Sequence, residues 1–460
     1  MELEIIKKLI KKYEPGHTDF ILKADIAERY YKNETDVLFQ KEVKDDDEKP
    51  LRNADNKIPR NFHGLIVNQK ASYAFTAPPL FDVGSDTSNK QIAEVLGDEY
   101  AKNCMELCVN AANTSVGWVH YWETDKGFEW AVVDSRQIIP IWDKSLKKRL
   151  IGVFRVYSEI DEDTGDNYTI YEYWNETECQ AFRRKSGEKL EQLQTYDMFT
   201  EPTMGEMVSQ YKHNSEEVPF IPFFNNNINT DDLKNIKPLI DVYDKVYSGF
   251  INDLDDIQEL IFVLSGYGGT DLNGFLQDLK KYKTIKLDED SEHPGVSTLN
   301  IEIPIEARNS ILEATRKAIF EQGQGYDPQP ENFGNQSGEA LKFMYSLLEM
   351  KVGLMETEFK LGFARLVRAI CKYKGIECGV ITQTWTRTRI KNDTELVNMC
   401  KNSVGIVSKK TILANHPFVE SAEEELKQIE KEEAEEQEKA QVYSGAFQKQ
   451  DPKNKRDDIE

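Results

Sequence analysis

The sequence predicts an α+β protein in which a mostly antiparallel β region lies along the chain between helical segments, several of them long. Apolar residues recur at helical spacing over roughly 1–35, 233–264, 304–321 and 338–373. From Gly117 the period changes to two and stays strand-like to about 225. At 460 residues the chain is long enough for two to four domains.

At the start of the chain, Ile5, Ile6, Leu9 and Ile10 set a helical face that Pro15-Gly16 is expected to break. A second helix over about 18–31 carries Phe20, Ile21, Ile26 and Tyr30. Asp45, Asp46, Asp47 and Glu48 before Pro50 read as a solvated loop, because no spaced ligand set accompanies the acidic run. Residues 61–78 read as a helix ending before Pro78, and 90–113 as another. Cys104 and Cys108 lie at i and i+4 on its face; without a nearby His or Cys to complete a zinc set, they read as buried free thiols.

Strands are expected at 118–122 and 128–133, joined by a turn at 124–127, and then at 138–142, 150–157 and 169–174. Asp161, Asp163 and Asp166 faintly resemble a calcium loop but lack its terminal Glu and flanking helices, so the segment reads as a hairpin turn. Phe182 and its basic neighbours continue the sheet, which 218–223 closes.

Thr230 reads as an N-cap with Asp231 and Asp232 in the first helical turn, where the helix dipole favours them. The helix that follows should run to Leu264, with Pro238 near its start or at a kink, and stop at Ser265-Gly266. A compact mixed segment over 267–302 precedes a helix opened by Pro304. The stretch 321–337 is rich in Gly, Gln, Asn and Pro, has no apolar period and reads as a long functional loop. A helix of about 338–373 comes next, with Lys351 among the residues along it and Lys374-Gly375 as its stop. Gly353 and Gly362 weaken it, and close neighbours are the usual reason to tolerate them. A strand at 380–386 and short helices at 393–401, 408–414 and from Ser421 complete the chain; Ser421 with Glu424 fits a capping box. Residues 444–460 are polar and expected to be disordered.

Lys plus Arg number 58 against 81 Asp plus Glu, a net charge of -23, which argues against a chain-wide clamp on nucleic-acid phosphates. No apolar run approaches the ~18 residues of a membrane span. The opening residues carry no secretion signal. Six cysteines make no disulfide framework, so a reducing cytoplasm is the default. There is no GxxxxGK(S/T), HExxH, GxSxG or CxxC, and the six histidines are scattered. No catalytic centre, metal site or cofactor is expected.

Two signatures point to a family. His213 is followed by Val218-Pro219-Phe220-Ile221-Pro222-Phe223-Phe224-Asn225-Asn226, then by Asp232-Leu233, Leu239-Ile240-Asp241, Tyr243, Ser248 and Asn252-Asp253. Ser337-Gly338-Glu339-Ala340-Leu341-Lys342-Phe343 precedes Leu348-Glu349-Met350-Lys351. Weaker matches lie at Asn61-Phe62, Ile66-Val67, 138–143 and 405–411. In order and spacing, over about 25–435, the chain resembles the portal proteins of tailed bacteriophages of the SPP1 type. It departs at Val407-Ser408-Lys409, where that family often has an acidic residue after the serine.

The resemblance implies a portal-protein fold assembled as a ring of about twelve subunits at the portal vertex of the capsid, with the host cytoplasm as its place during assembly. It implies a channel through which double-stranded DNA is packaged and later ejected without sequence specificity. The implied partners are further copies of the chain, the terminase large subunit, a head-completion or adaptor protein, and the major capsid and scaffolding proteins, with no membrane, no cofactor and no enzymatic activity. By the same resemblance, 1–232 holds N-terminal helices and a β-rich wing, 233–264 the first stem helix, 265–303 a mixed α/β clip and 304–321 the second stem helix. Residues 322–337 would form the tunnel loop, 338–392 the long wing helix and return strand, 393–440 a helical crown and 441–460 a disordered tail. Gln322, Gln324, Gln329, Asn332, Asn335 and Gln336 are the candidates to face DNA. Lys280, Lys281 and Lys283 are the candidates to dock the terminase. The alternative is a non-enzymatic head–tail adaptor or another capsid assembly protein.

Overall fold

A computed structural model describes residues 2–41, 54–124, 127–200, 205–213, 215–257, 261–265, 295–299, 304–328, 345–387, 393–419 and 421–447. These residues fall into two units, one reaching to Pro328 and resuming over Tyr345–Thr388, the other holding the C-terminal helices.

The first unit opens with helix α1 (Leu3–Tyr31), which continues through Pro15 instead of breaking there. Proline removes one helical N–H and crowds the carbonyl four residues back. Here Pro15 and Gly16 are exposed, so water can satisfy that carbonyl. Both ends of the helix are anchored by burial. Ile6 and Ile10 pack with Ile139, Phe154 and Tyr171, whereas Ala27 and Tyr30 pack with Phe62, Ile66 and Ile236.

Helix α2 (Phe62–Ala74) is capped by Asn61, whose side chain accepts from the Gly64 N–H. After strand β1 (Leu80–Asp82), the helix expected over 90–113 is two, α3 (Asp86–Leu96) and α4 (Tyr100–Thr114). Gly97, at φ +74°, ends the first in a conformation that glycine reaches at little cost. Cys104 and Cys108 are buried free thiols, and burial pushes both up to about 12.

The β region follows the expected order. Strands β2 (Val116–Thr124) and β3 (Gly127–Val133) form a hairpin, which β12 (Phe220–Phe224) extends to a three-stranded antiparallel sheet. A larger sheet has the order β11-β7-β6-β5-β4, with β8 on β7. Its strands are β4 (Ile138–Trp142), β5 (Leu150–Ile160), β6 (Asn167–Trp174), β7 (Glu178–Lys185), β8 (Gln194–Thr195) and β11 (Gln210–Lys212). The small pair β9 (Phe199–Thr200) and β10 (Met207–Val208) stands apart. In the β5–β6 turn the Asp161 carboxylate accepts from the N–H groups of Asp163 and Thr164, which is the ordinary work of an aspartate in a turn.

Helix α5 (Lys237–Ile257) begins later and ends earlier than expected. Thr230 is not its N-cap: its backbone is folded onto the Asn226 side chain, whose oxygen accepts from the Thr230 N–H at 3.1 Å. Pro238 sits in the first turn, where its missing N–H costs nothing. The apolar run expected to prolong the helix is instead strand β13 (Ile261–Ser265), paired with β14 (Gly295–Leu299). A short apolar run of this length fits either period, and pairing decides it. The rest of 267–302 lies outside the described residues, as does the acidic loop at 45–48.

Helix α5 also holds an extended strap. The N–H groups of Arg60, Ile58 and Asn56 donate to Asp244, Ser248 and Asn252 at 3.0, 3.0 and 2.7 Å. Four helical residues rise ~6 Å and two extended residues ~6.6 Å, so the two ladders stay in register. Asp253 then ties the helix to Arg308 of α6 (Ile305–Gly323).

Helix α7 (Ser346–Lys374) is the spine of the largest apolar core, and Gly375 at φ +65° ends it as expected. Val352, Met355, Phe359, Phe363 and Leu366 pack against α4 and the β2–β3–β12 sheet. Strand β15 (Thr382–Thr384) returns to pair with β1. The second unit contains α8 (Asp393–Asn402), α9 (Lys409–Ala414) and α10 (Ala422–Phe447). The Ser421 hydroxyl accepts from the Glu424 N–H, and the last helix runs through Phe447, past the point where a disordered tail was expected.

The two glycines of α7 behave differently. A Cβ on Gly362 would stand 2.6 Å from the Phe223 ring, whereas one on Gly353 would meet nothing within 4 Å. Gly362→Ala should therefore destabilise by ~1–3 kcal/mol through overpacking. Gly353→Ala should stabilise by up to ~1 kcal/mol through helix propensity. Urea-unfolding midpoints of the two variants, moving in opposite directions, check this.

Candidate functional site

Of the nine residues singled out from the sequence, Gln322 and Gln324 are described. Gln329, Asn332, Asn335, Gln336, Lys280, Lys281 and Lys283 lie outside the described residues. Gln322 is exposed in the last turn of α6, and Gln324 follows that helix in the left-handed conformation at φ 52°. The Gly325 N–H donates to Phe320 O at 3.0 Å and the Gln324 N–H to Glu321 O at 3.3 Å, the paired bonds of a Schellman stop. Such a stop ordinarily places glycine where Gln324 stands. Here the glycines flank it, because a Cβ on Gly323 or Gly325 would lie 2.7 or 2.8 Å from the Ile66 side chain. The close approach to α2 requires both glycines, and the left-handed position carries a half-exposed glutamine. Just beyond, Arg316 grips Asp327 through two bonds of 3.0 and 2.7 Å.

Beneath this turn lies a buried charge cluster that the sequence reading did not assemble. Asp232 Oδ2 accepts from Lys70 Nζ and Lys351 Nζ, each at 3.1 Å. Its other oxygen accepts from Asn225 Nδ2 at 2.9 Å, and its backbone N–H donates to Ala112 O of α4. Lys70 also donates to Asn225 Oδ1. Lys351 donates to Gly323 O at 2.8 Å, on the last residue of α6. His63 of α2 bonds Asn113 of α4 through Nε2 at 2.8 Å.

Both lysines and Asp232 are almost fully buried. Burial alone would raise the Asp232 carboxyl, but the Lys351 and Lys70 ammonium groups hold it well below the usual carboxylate range. Burial pushes Lys351 down, against the pull of Asp232, and Lys70 adds to that push. His63 is pushed down to about 4 by burial, so at neutral pH it adds no further positive charge. Two ammonium groups thus share one carboxylate. The sequence did carry a signal: Lys351 sits in the apolar stripe of α7, and Lys70 follows Ile66 and Val67 on the buried side of α2. A lysine at a core position needs a buried partner. Asp232 supplies it because 226–236 is a turn that folds the carboxylate inward rather than a helix start that exposes it.

Among the described residues no group of His, Cys, Asp and Glu could hold a metal ion, and no helix is long and apolar enough to cross a membrane. The fold is α+β, built on long helices packed with antiparallel sheets. A known family matches the chain: the model described as Phage portal protein, SPP1 Gp6-like, covers residues 10–439. The chain belongs to this family of phage portal proteins. It is 40% identical over 444 residues to the portal protein of Clostridium phage phiCD119, across 92% of this chain and 94% of that one. It is 28% identical over 450 residues to the portal protein of Bacillus phage SPP1, across 93% and 86%. Among solved structures it is similar to a chain of the neck of a native GTA particle computed with C12 symmetry, at 11% identity over 77% of this chain and 91% of that one, with a TM-score of 0.41.

The cluster predicts an asymmetry. Asp232→Asn leaves two buried ammonium groups without a counter-charge and should cost ~3–5 kcal/mol. Lys351→Met leaves the Lys70–Asp232 pair matched and should cost ~1–2 kcal/mol, mostly the lost bond to Gly323 O. Denaturant unfolding of the two variants at neutral pH tests the order.

Proposed function

We propose that the chain is the portal of a tailed bacteriophage. Copies of it form a ring at one vertex of the capsid, and the central channel passes double-stranded DNA inward during packaging and outward at ejection. The observation that carries this is the family match across residues 10–439. The protein is structural, not enzymatic. Its further partners are the terminase large subunit, a head-completion or adaptor protein, and the major capsid and scaffolding proteins.

In this reading α5 and α6 are the stem, joined by the Asp253–Arg308 pair. The pairing of β13 with β14 closes the base of the clip. The β sheets and α7 form the wing, and the C-terminal helices the crown. Met350, Leu354 and Leu361 lie on α7 at helical spacing and are 53%, 51% and 60% exposed, apolar surface of the kind that a neighbouring copy would cover. The segment from Gln324 to residue 337 is the tunnel loop, entered from the last turn of α6, with Gln322, Gln324, Gln329, Asn332, Asn335 and Gln336 toward DNA. Lys280, Lys281 and Lys283 dock the terminase.

The net charge of -23 supports a conduit rather than a clamp. Amide side chains contact a phosphate backbone without neutralising it, so no strong electrostatic trap opposes sliding. Light scattering in line with size exclusion should find a particle of roughly 640 kDa, about twelve copies of 53.1 kDa, with a central channel in negative stain. A chain that forms no ring even with its scaffold and capsid proteins would favour the adaptor reading. Within an assembled portal, replacing several of the named Gln and Asn residues with lysine should slow packaging, whereas unchanged packaging rates would remove the sliding argument.

A further inference from the structure

The two turns that flank strand β5 carry opposite charge. Before the strand, the β4–β5 turn places Lys144, Lys147, Lys148 and Arg149 within six residues, with no carboxylate from 144 to 149. After it, the β5–β6 turn places Glu159, Asp161, Glu162, Asp163 and Asp166 within eight residues, with no cation among them. An aspartate fixes the backbone of each turn. The Asp143 carboxylate accepts from the N–H groups of Ser145 and Arg149 at 3.2 and 2.8 Å, as the Asp161 carboxylate does in its own turn. All of 144–149 is exposed. Among the described residues these four cations make no ion pair, in contrast to Lys237 and Arg387. Each turn also exposes a large apolar side chain: Leu146 is fully exposed in the basic turn, and Ile160 is 66% exposed at the entry to the acidic one.

These turns cannot pair within one chain. Strand β5 has 11 residues, so its ends stand ~33 Å apart, several screening lengths at physiological salt. Between chains the complementarity has a use. Copies that each carry a net charge of -23 repel one another, so a ring of them needs local attraction to offset that repulsion. A ring is also head-to-tail: one patch on each copy meets a different patch on the next. We propose that the 144–149 turn of one copy docks on the 159–166 turn of the next, with Leu146 against Ile160. The proposal rests on the ring reading above and names a contact within it. One exposed ion pair is weak, but several around a covered apolar pair fix orientation and exclude the wrong neighbour face. Leu146 makes protein the partner rather than DNA, because a phosphate backbone offers it no apolar surface. Since Asp143 and Asp161 already hold the turns, docking orders little that was loose.

The test uses the full chain, assembled with its scaffold and capsid proteins from equal parts of unlabelled and nitrogen-15-labelled copies. A carbodiimide, which joins lysine to a carboxylate with no spacer, should link Lys144 or Lys147 to Glu162 or Asp163 in peptides of mixed label. No such link, or links from these lysines to a scaffold or capsid protein instead, overturns the proposal. Charge reversal gives the second readout, with Asp161 and Asp166 left in place because the first holds its turn and the second pairs with Lys185. Lys144→Glu with Lys147→Glu and Arg149→Glu should lower the fraction of chain in rings about tenfold or more. Glu159→Lys with Glu162→Lys and Asp163→Lys should do the same. All six changes in one chain should restore that fraction to within about twofold, because each reversed turn then meets a reversed partner. Loss without this rescue, or an effect on DNA filling alone with rings intact, overturns the proposal. If a reversed chain does not fold, the cross-link on the unmodified chain decides. Unmodified chain that forms no ring removes the ring reading itself, whereas rings that form without the link remove only this contact.

Discussion

Asp232 is one carboxylate holding two buried ammonium groups, and elements far apart in sequence meet around it. Lys70 comes from α2, Lys351 from α7 and Asn225 from the end of β12, while the Asp232 N–H reaches the end of α4 and Lys351 reaches on to the end of α6. Apolar burial would hold these elements together but would tolerate many relative shifts. A charge cluster in low dielectric tolerates few, because a small displacement leaves a buried ion unsatisfied. The surrounding core is consistent with that demand. Ile66 accepts Gly323 and Gly325 at near-contact distance, and Phe223 accepts Gly362. The glycines let backbones approach as closely as the cluster requires.

Much of the fold was legible because its signals are local. The switch to a period of two located the strands, Gly375 marked the end of α7, and Ser421 its capping of α10. The misses came where tertiary contacts override local preference. Pro15 should end a helix, yet burial of Ile6 and Ile10 on one side and of Ala27 and Tyr30 on the other holds α1 as a single element. Residues 261–265 have a sequence that serves either period, and only pairing with 295–299 makes them a strand.

The site was legible in a different way. The family signature carried Asn225, Asp232, Asp241, Ser248, Asn252 and Asp253, but no local rule said what they do. The structure gives them physical roles. Asp232 and Asn225 are the acceptors for the buried lysines, while Ser248 and Asn252 hold the strap along α5. Asp241 meets the Tyr30 hydroxyl and Lys237, joining α5 to α1. These are long-range polar contacts, and a polar residue at helical spacing reads as a solvated face until its partner is known. Asp244 shows how far such a face can be buried: it is fully enclosed, and burial pushes its carboxyl up to about 6 despite the bonds from Thr35 and the Arg60 N–H.

The chain's formal charge of -23 counts every lysine and arginine alike, whether free or already paired. Lys70 and Lys351 are consumed inside the core. Arg136 faces Asp25, Glu28 and Asp134, Lys237 faces Asp36 and Asp241, and Arg387 faces Glu349 and Glu356. Cations held in this way are committed to carboxylates and are poor ligands for a passing phosphate. Repulsion from the remaining carboxylates reaches only about 8 Å at physiological salt, so it acts on DNA close to the wall rather than across a wide channel. Unpaired carboxylates at a surface discourage adhesion of a double helix that comes near them. Because Lys351 binds both Asp232 and Gly323 O, the cluster that fixes the core also fixes the end of α6, where Gln322 and Gln324 stand.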